Sequence, residues 1–270
     1  MIFKANAKFN LGLSVLSKRE DGYHNLETVM VPLYNLYDTI QIERHSSGLS
    51  FTQSGIQIDC PLEKNLCYKA YEVFRNEFSI PGAKIHLHKQ VPFGAGLGAG
   101  SSDATHVLKG LNEIYGTALS SEELIELASR LGSDTAFFVK NSPVLCTSRG
   151  EVMEDIQVDA LKGKWILLVK PPFAVSTKEA YMGVPLTPNA SHLRDILSYP
   201  EEKWRDMLKN SFETNVFQLY PQLAQIKNDL YTMGALYASM SGSGSSLYGI
   251  FSKEPSSDLF SGMFLHKEIL

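Results

Sequence analysis

Polar residues at Lys4, Asn6, Lys8 and Asn10 interrupt an otherwise apolar start, and residues 1–16 read as one strand or a close strand pair. Residues 26–44 are rich in β-branched and aromatic side chains, predicting strands with a turn near Asn35 and Asp38. At 65–78 the spacing changes: Leu66, Ala70, Val73, Phe74 and Phe78 recur at helical intervals, and Asn65 can cap the start. Residues 83–91 alternate like a half-buried strand, and a glycine-rich loop follows at 92–100. A helix over 101–115 then carries Ala104, Val107, Leu108, Leu111 and Ile114 on one face. Ser120 and Glu123 have capping-box spacing for a helix ending before Gly132. The second half offers a strand at Trp165–Lys170, helices near 201–209 and 221–233, a Ser/Gly loop at 239–246 and a strand at Leu247–Phe251. Strands mixed with helices, without regular alternation, predict an α+β fold. A boundary near 155–162 divides the chain into 1–158 and 159–270.

The chain of 270 residues is 44% hydrophobic, enough for a sizeable core. A net charge of −4 gives no sign of a nucleic-acid binder. Cys60, Cys67 and Cys146 fit no zinc spacing and read as reduced thiols of a cytoplasmic protein. The start does not read as a signal peptide, and no apolar run approaches the ~20 residues of a membrane span.

The most informative segment is Pro92-Phe93-Gly94-Ala95-Gly96-Leu97-Gly98-Ala99-Gly100-Ser101-Ser102-Asp103-Ala104. A strand enters it and a helix leaves it. Glycines let backbone approach a phosphate, and free N–H groups at a helix start favour an anion. The Rossmann pattern fails because Ala99 stands three residues after Gly96, and no Gly-Lys-Ser/Thr of a Walker loop follows. The alternative is a tight turn that binds nothing, but four glycines in seven positions exceed what a turn needs.

Three separated segments together resemble the GHMP kinase superfamily. They are this loop, Ala7-Lys8-Phe9-Asn10-Leu11 near the start, and Met240-Ser241-Gly242-Ser243-Gly244-Ser245 near the end. Asp21-Gly22-Tyr23-His24-Asn25-Leu26-Glu27-Thr28 and Leu131-Gly132-Ser133-Asp134-Thr135-Ala136-Phe137-Phe138 narrow the resemblance to its 4-diphosphocytidyl-2-C-methyl-D-erythritol kinase family. Ala99 replaces a frequent glycine, and Ala136 stands where proline is usual. The resemblance implies a two-lobed fold: an N-terminal lobe like ribosomal protein S5 domain 2, with a left-handed crossover, and a ferredoxin-like C-terminal lobe. It places ATP and a cytidine diphosphate sugar alcohol in the cleft between lobes, with Mg²⁺ on unknown ligands. It implies a bacterial cytoplasmic enzyme, monomeric or homodimeric, acting in non-mevalonate isoprenoid synthesis. Rival readings are a homoserine or mevalonate kinase, against which Asp21–Thr28 argues, and an inactive nucleotide-binding regulator, against which retention of Lys8 and Asp134 argues.

The resemblance makes Asp134 the base for the acceptor hydroxyl and Lys8 its neighbour, stabilising charge near the phosphoryl group. Without it, Asp134 reads equally as a helix cap and Lys8 as an edge-strand lysine. Asn10 projects to the same strand face as Lys8 and can bond the acceptor alcohol. Tyr23 and His24 are implied to hold cytosine, and Tyr181 is a candidate opposite wall or else a core tyrosine. For ATP the implied residues are Asn65, Leu66, Lys89, Pro92, Gly94, Gly96, Leu97, Gly98, Ala99, Gly100, Ser101 and Ser102. Asn65 could instead be a helix cap, and Lys89 a solvated lysine. Gly242 and Gly244 are implied to border the substrate, although the same loop reads as a Gly/Ser linker in isolation.

Overall fold

The computed structural model of the chain describes residues 1–58, 60–190 and 192–270. They form two compact units that interleave along the sequence. The first takes Met1–Ala7, Tyr34–Phe93 and Gly98–Ser142; the second takes Lys8–Leu33, Gly94–Leu97 and Pro143–Leu270.

In the first unit, the start of β1 (Ile2–Lys18) and the end of β2 (His24–Arg44) are joined by β3 (Gly48–Gly55), α1 (Leu66–Phe78) and β4 (Gly82–Lys89). Next come α2 (Ala99–Tyr115), α3 (Ser121–Ser129) and the one-turn α4 (Phe137–Lys140). β4 pairs antiparallel with β2 from Thr39↔His88 to Arg44↔Ala83, and parallel with β3 from Gly48↔Gly82 to Gly55↔Lys89. One sheet face presents Ile40, Ile42, Ile85 and Leu87 to Phe74 of α1, Leu108 and Leu111 of α2 and Leu127 of α3. That burial follows from the period of two in the strands and the apolar stripe of each helix. Asn65 caps α1 by accepting from the Cys67 N–H at 2.9 Å, and the Ser120–Glu123 capping box is present on α3.

β2 runs unbroken through Asn35 and Asp38, where the sequence predicts a turn. The Asp38 carboxylate does not bend its own backbone, as aspartate does in turns. It is fully buried and accepts from the Gln90 N–H at 2.6 Å and the Val91 N–H at 2.8 Å.

The second unit pairs β2 with β5 (Val144–Thr147), and β5 with β6 (Val152–Asp155). Beyond these lie β7 (Trp165–Lys170), the short helices α5 (Thr177–Met182), α6 (Leu193–Leu197) and α7 (Trp204–Met207), then α8 (Phe212–Leu219) and α9 (Pro221–Thr232). β8 (Tyr237–Met240), β9 (Leu247–Phe251) and β10 (Phe264–Ile269) complete an antiparallel sheet of order β10-β7-β9-β8. The last strand of this sheet, β10, lies beside its first, β7, as a ferredoxin-like lobe requires. Leu167, Val169, Ala238 and Met240 meet Phe212 and Val216 of α8 and Ile226 and Leu230 of α9, and Leu13 and Val15 of β1 join them.

The helix predicted over 201–209 is instead a 3₁₀ turn, Glu201–Lys203, followed by α7. Leu208 is extended, and the Lys209 carbonyl accepts from the Leu13 N–H at 2.9 Å. Pairing with β1 takes the backbone that a longer helix would have used. Among the described residues, no helix is long and apolar enough to cross a membrane.

Candidate active site

Within the second unit, β1 alternates Lys8 and Asn10 with Phe9 and Leu11, so the two polar side chains share one face. Both are buried. The Lys8 ammonium donates to Asn10 Oδ1 at 2.5 Å and to the Gly96 carbonyl at 3.3 Å. The Asn10 amide donates to Thr28 Oγ1 at 3.0 Å, and the Thr28 hydroxyl donates to the Gly12 carbonyl at 2.6 Å. This chain fixes the amide: its oxygen faces Lys8 and its nitrogen faces Thr28. Thr28 ends the Asp21–Thr28 motif and is a site residue that motif reading alone left without a role.

The loop segment Gly94–Leu97 lies against this strand. The Lys8 N–H donates to the Leu97 carbonyl at 3.0 Å, and the Ser241 hydroxyl donates to the Gly96 carbonyl at 2.8 Å. Ser241 Oγ also accepts from the Asn10 N–H at 3.2 Å. Gly96 has φ +72°, and a Cβ there would run into the Ser241 carbonyl oxygen. Gly242, φ +55°, has the space for a Cβ only 3.3 Å from Asn10 Oδ1. Parts of all three family-like segments therefore converge in one unit, and Ser241–Ser246 is a packed turn. Two buried residues hold it from behind. The Asn210 amide donates to the Met240 and Gly242 carbonyls at 2.8 and 2.9 Å, and the Glu213 carboxylate accepts from the Met240 N–H at 2.9 Å. Neither stands in a recognisable motif, so no local signal marks them.

The cytosine candidates form a second cluster in the same unit. Asp21 accepts from the Tyr23 N–H at 3.0 Å, and Gly22 takes φ +84°, which shapes the turn. That hydrogen bond is the main cause holding the Asp21 carboxyl below its ordinary range. Tyr23 is 56% exposed, with the Arg149 guanidinium 5.2 Å from its ring centroid. His24 stacks on Tyr181 with ring centroids 4.8 Å apart and 24° between planes, and Phe212 meets Tyr181 edge-on. The contact places Tyr181, the candidate opposite wall, directly beside the Tyr23-His24 turn. Burial, with the charge of Lys18, lowers the His24 pKa and favours its neutral form, which offers one donor and one acceptor.

The first unit holds the other candidates. Gly98, φ +68°, precedes α2, and Ala99 is the first helical residue, which accounts for alanine replacing glycine there. No side chain caps this helix start, and no acidic residue lies in its first turn. Leu66 Cδ1 lies 3.6 Å from where a Cβ on Gly100 would sit. Ser101 is half-buried, whereas Ser102 is fully buried with its carbonyl bonded by His106 at 2.9 Å. Asp134 is half-buried in the turn ahead of α4 rather than at the cap itself, which is Ala136. Ala136 has φ −61°, a value proline shares, so the departure from the family pattern leaves the backbone unchanged. The Thr105 hydroxyl of α2 donates to the Thr135 carbonyl at 2.7 Å and to the Ser101 carbonyl at 3.0 Å, tying the Asp134 turn to the helix after the glycine loop.

Lys89 is neither solvated nor turned toward a ligand. It is 1% exposed, and its ammonium donates to Asp38 and, at 2.8 Å, to Asp103. Enclosure by two carboxylates replaces the expected contact with adenine or phosphate. Among the described residues, no group of three or more His, Cys, Asp or Glu side chains could hold a metal ion.

Residues 65–142 match the GHMP kinases N terminal domain, and residues 200–263 match the GHMP kinases C terminal domain. The 4-diphosphocytidyl-2-C-methyl-D-erythritol kinase of Parabacteroides distasonis is 46% identical over 269 residues, covering 98% of each chain. That of Cytophaga hutchinsonii is 43% identical, covering 94% of each. A crystal structure of 4-(cytidine 5'-diphospho)-2C-methyl-D-erythritol kinase superposes with TM-score 0.78 at 33% identity, over 93% of this chain and 90% of that one. The Methanococcus jannaschii mevalonate kinase shares the fold, with TM-score 0.70 at 14% identity over 99% and 97% of the two chains.

Proposed function

Because the chain belongs to the GHMP kinases, in the family of 4-diphosphocytidyl-2-C-methyl-D-erythritol kinases, we propose that it phosphorylates the 2-hydroxyl of that cytidine substrate with ATP. The reaction belongs to non-mevalonate isoprenoid precursor synthesis in a bacterial cytoplasm. The observation that carries the reading is the hydrogen-bonded set Lys8, Asn10, Thr28, Gly96 and Ser241, drawn from segments far apart in sequence.

Phosphoryl transfer asks the protein for positioning and charge stabilisation more than for covalent chemistry. Lys8 supplies positive charge for the transferring phosphoryl group. Asn10, held by Thr28, orients the acceptor alcohol. The role proposed for Asp134 is that of the base taking the acceptor's proton as the O–P bond forms. The uncapped start of α2 suits an ATP phosphate, since its free N–H groups and dipole favour negative charge. Tyr23 offers the cytosine a stacking face, and His24 reads the edge of the base.

Mg²⁺ typically keeps several waters and binds substrate phosphates with one or two protein oxygens. A site without an acidic cluster fits that habit, and Ser101 is the hydroxyl that would hold it. When bound, the ion neutralises phosphate charge. A transfer assay with the cytidine substrate, homoserine and mevalonate as parallel acceptors tests the assignment, with the product identified by phosphorus NMR. Phosphorylation of the cytidine substrate alone is expected; transfer to homoserine or mevalonate in its place would overturn it.

A further inference from the structure

The buried ion triad of the first unit lies beside the glycine loop at both ends. Lys89 is the last residue of β4, three residues before the loop begins at Pro92. Asp38 Oδ2 takes the Lys89 ammonium, while Asp38 Oδ1 accepts from the N–H groups of Gln90 and Val91 as the strand gives way to the loop. Asp103 Oδ2 accepts from the same ammonium at 2.8 Å, and Asp103 stands one turn inside α2, the helix that leaves the loop. One ammonium thus ties the entry of the loop to its exit, through carboxylates on β2 and α2. All three residues are at most 1% exposed.

Such a group is a poor way to gain stability. Removing three charges from water costs several kcal/mol per ion, and well-packed apolar residues of the same volume often do as well or better. What it supplies is directional geometry: a lysine with two short bonds cannot slide as an apolar contact can. Between the anchors the loop carries Gly94, Gly96, Gly98 and Gly100, whose backbone is free to take several shapes, and it is pinned by side chains only at points such as the buried Val91 and Leu97.

We propose that Asp38, Lys89 and Asp103 are positioning residues for the phosphoryl-transfer reaction, a clamp that sets the separation of the two ends of the glycine loop and so its fit to nucleotide phosphate. The proposal rests on the kinase reading above. It differs from a purely structural role in what it selects: loss of the clamp weakens nucleotide use and spares the cytidine substrate.

The test measures KM for ATP, KM for the cytidine substrate and the thermal midpoint in Asp103→Ala, Asp103→Asn and Asp38→Asn. Asparagine at 103 keeps an oxygen for Lys89, and at 38 an oxygen for the two loop N–H groups. The clamp predicts that Asp103→Ala raises KM for ATP roughly tenfold or more, with KM for the cytidine substrate within about twofold of wild type. Asp103→Asn should recover most of the loss, to within about threefold of wild type. Should Asp103→Ala fail to fold, a selective rise in KM for ATP in Asp38→Asn carries the proposal, and its absence overturns it. Equal rises in both KM values alongside a lowered midpoint, or unchanged KM for ATP in folded variants, would also overturn it. Wild type lacking ATP-dependent transfer would instead defeat the kinase reading, so the two failures are distinct.

Discussion

Gly96→Ala changes one hydrogen for a methyl at the point where the glycine loop meets the Ser/Gly turn of the second unit. Two costs follow. Alanine at φ +72° sits in the left-handed region, which costs an L-residue about 1–2 kcal/mol. The new Cβ also runs into the Ser241 carbonyl oxygen, which is backbone and moves only with its loop. Moving it strains the 2.8 Å bond from Ser241 Oγ and the 3.3 Å bond from Lys8 Nζ, both of which end on the Gly96 carbonyl. A buried hydrogen bond is worth about 1 kcal/mol net, so losing one of these brings the total to about 2–3 kcal/mol. Gly100→Ala is the control. Gly100 is helical, and its Cβ would meet only Leu66 Cδ1 at an ordinary 3.6 Å, so helix propensity favours the change by about 0.5–1 kcal/mol. Urea unfolding followed by tryptophan fluorescence, from Trp165 and Trp204, reads the stability of each variant. Phosphate transfer reads the site, where Gly96→Ala should also lower kcat/KM because Lys8 loses an anchor. Gly96→Ala matching Gly100→Ala in both stability and activity would refute the packing argument.

Asp134→Asn keeps size and removes charge and basicity; kcat should fall by about 10²-fold or more with the fold intact, and near-normal kcat would rule out its role. Asn65→Ala removes the acceptor for the Cys67 N–H and should cost about 1 kcal/mol in urea unfolding, as capping residues do. Burial, helped by the charge of Asp38 and opposed by Lys89, raises the Asp103 carboxyl to about 7. The folded chain then holds a proton that the unfolded chain releases above about pH 4, so this contribution is present at low pH and is lost as pH rises through about 7. Wild type should therefore lose stability relative to Asp103→Asn between about pH 4 and 7, and parallel pH profiles would contradict the shift.

Local pattern made much of this legible. Alternation along β1 put Lys8 and Asn10 on one face, and that is where they bond each other. Asn65 and the Ser120–Glu123 pair announced their helices because capping is a local interaction. Asp38 was opaque for the opposite reason. Its partner Lys89 lies 51 positions away, and an isolated aspartate among strand residues reads as a turn. Asp103 hides in a run of small residues whose glycines draw attention to phosphate rather than to a buried charge. Asn210 and Glu213 act on the turn around Met240–Gly242 from the start of α8, a relation visible only after folding. Tyr181 illustrates a different gap: an aromatic residue at a plausible distance in sequence carries no information about which ring it stacks on.

In the proposed function, the turn at Tyr23-His24 is what fits the kinase to a cytidine nucleotide. Tyr23 presents an exposed ring, and the neutral form of His24 can pair one donor and one acceptor with a base edge. Uracil exchanges the amino donor of cytosine for a carbonyl acceptor, a mismatch that costs about 1–3 kcal/mol when buried, or about 5-fold to 150-fold in kcat/KM. The direct measurement is kcat/KM of the wild-type protein on the cytidine substrate and on its uridine analogue at saturating ATP. A preference for cytidine in that range, abolished or sharply reduced in His24→Ala, is the predicted result; equal use of both nucleotides by wild type would contradict it.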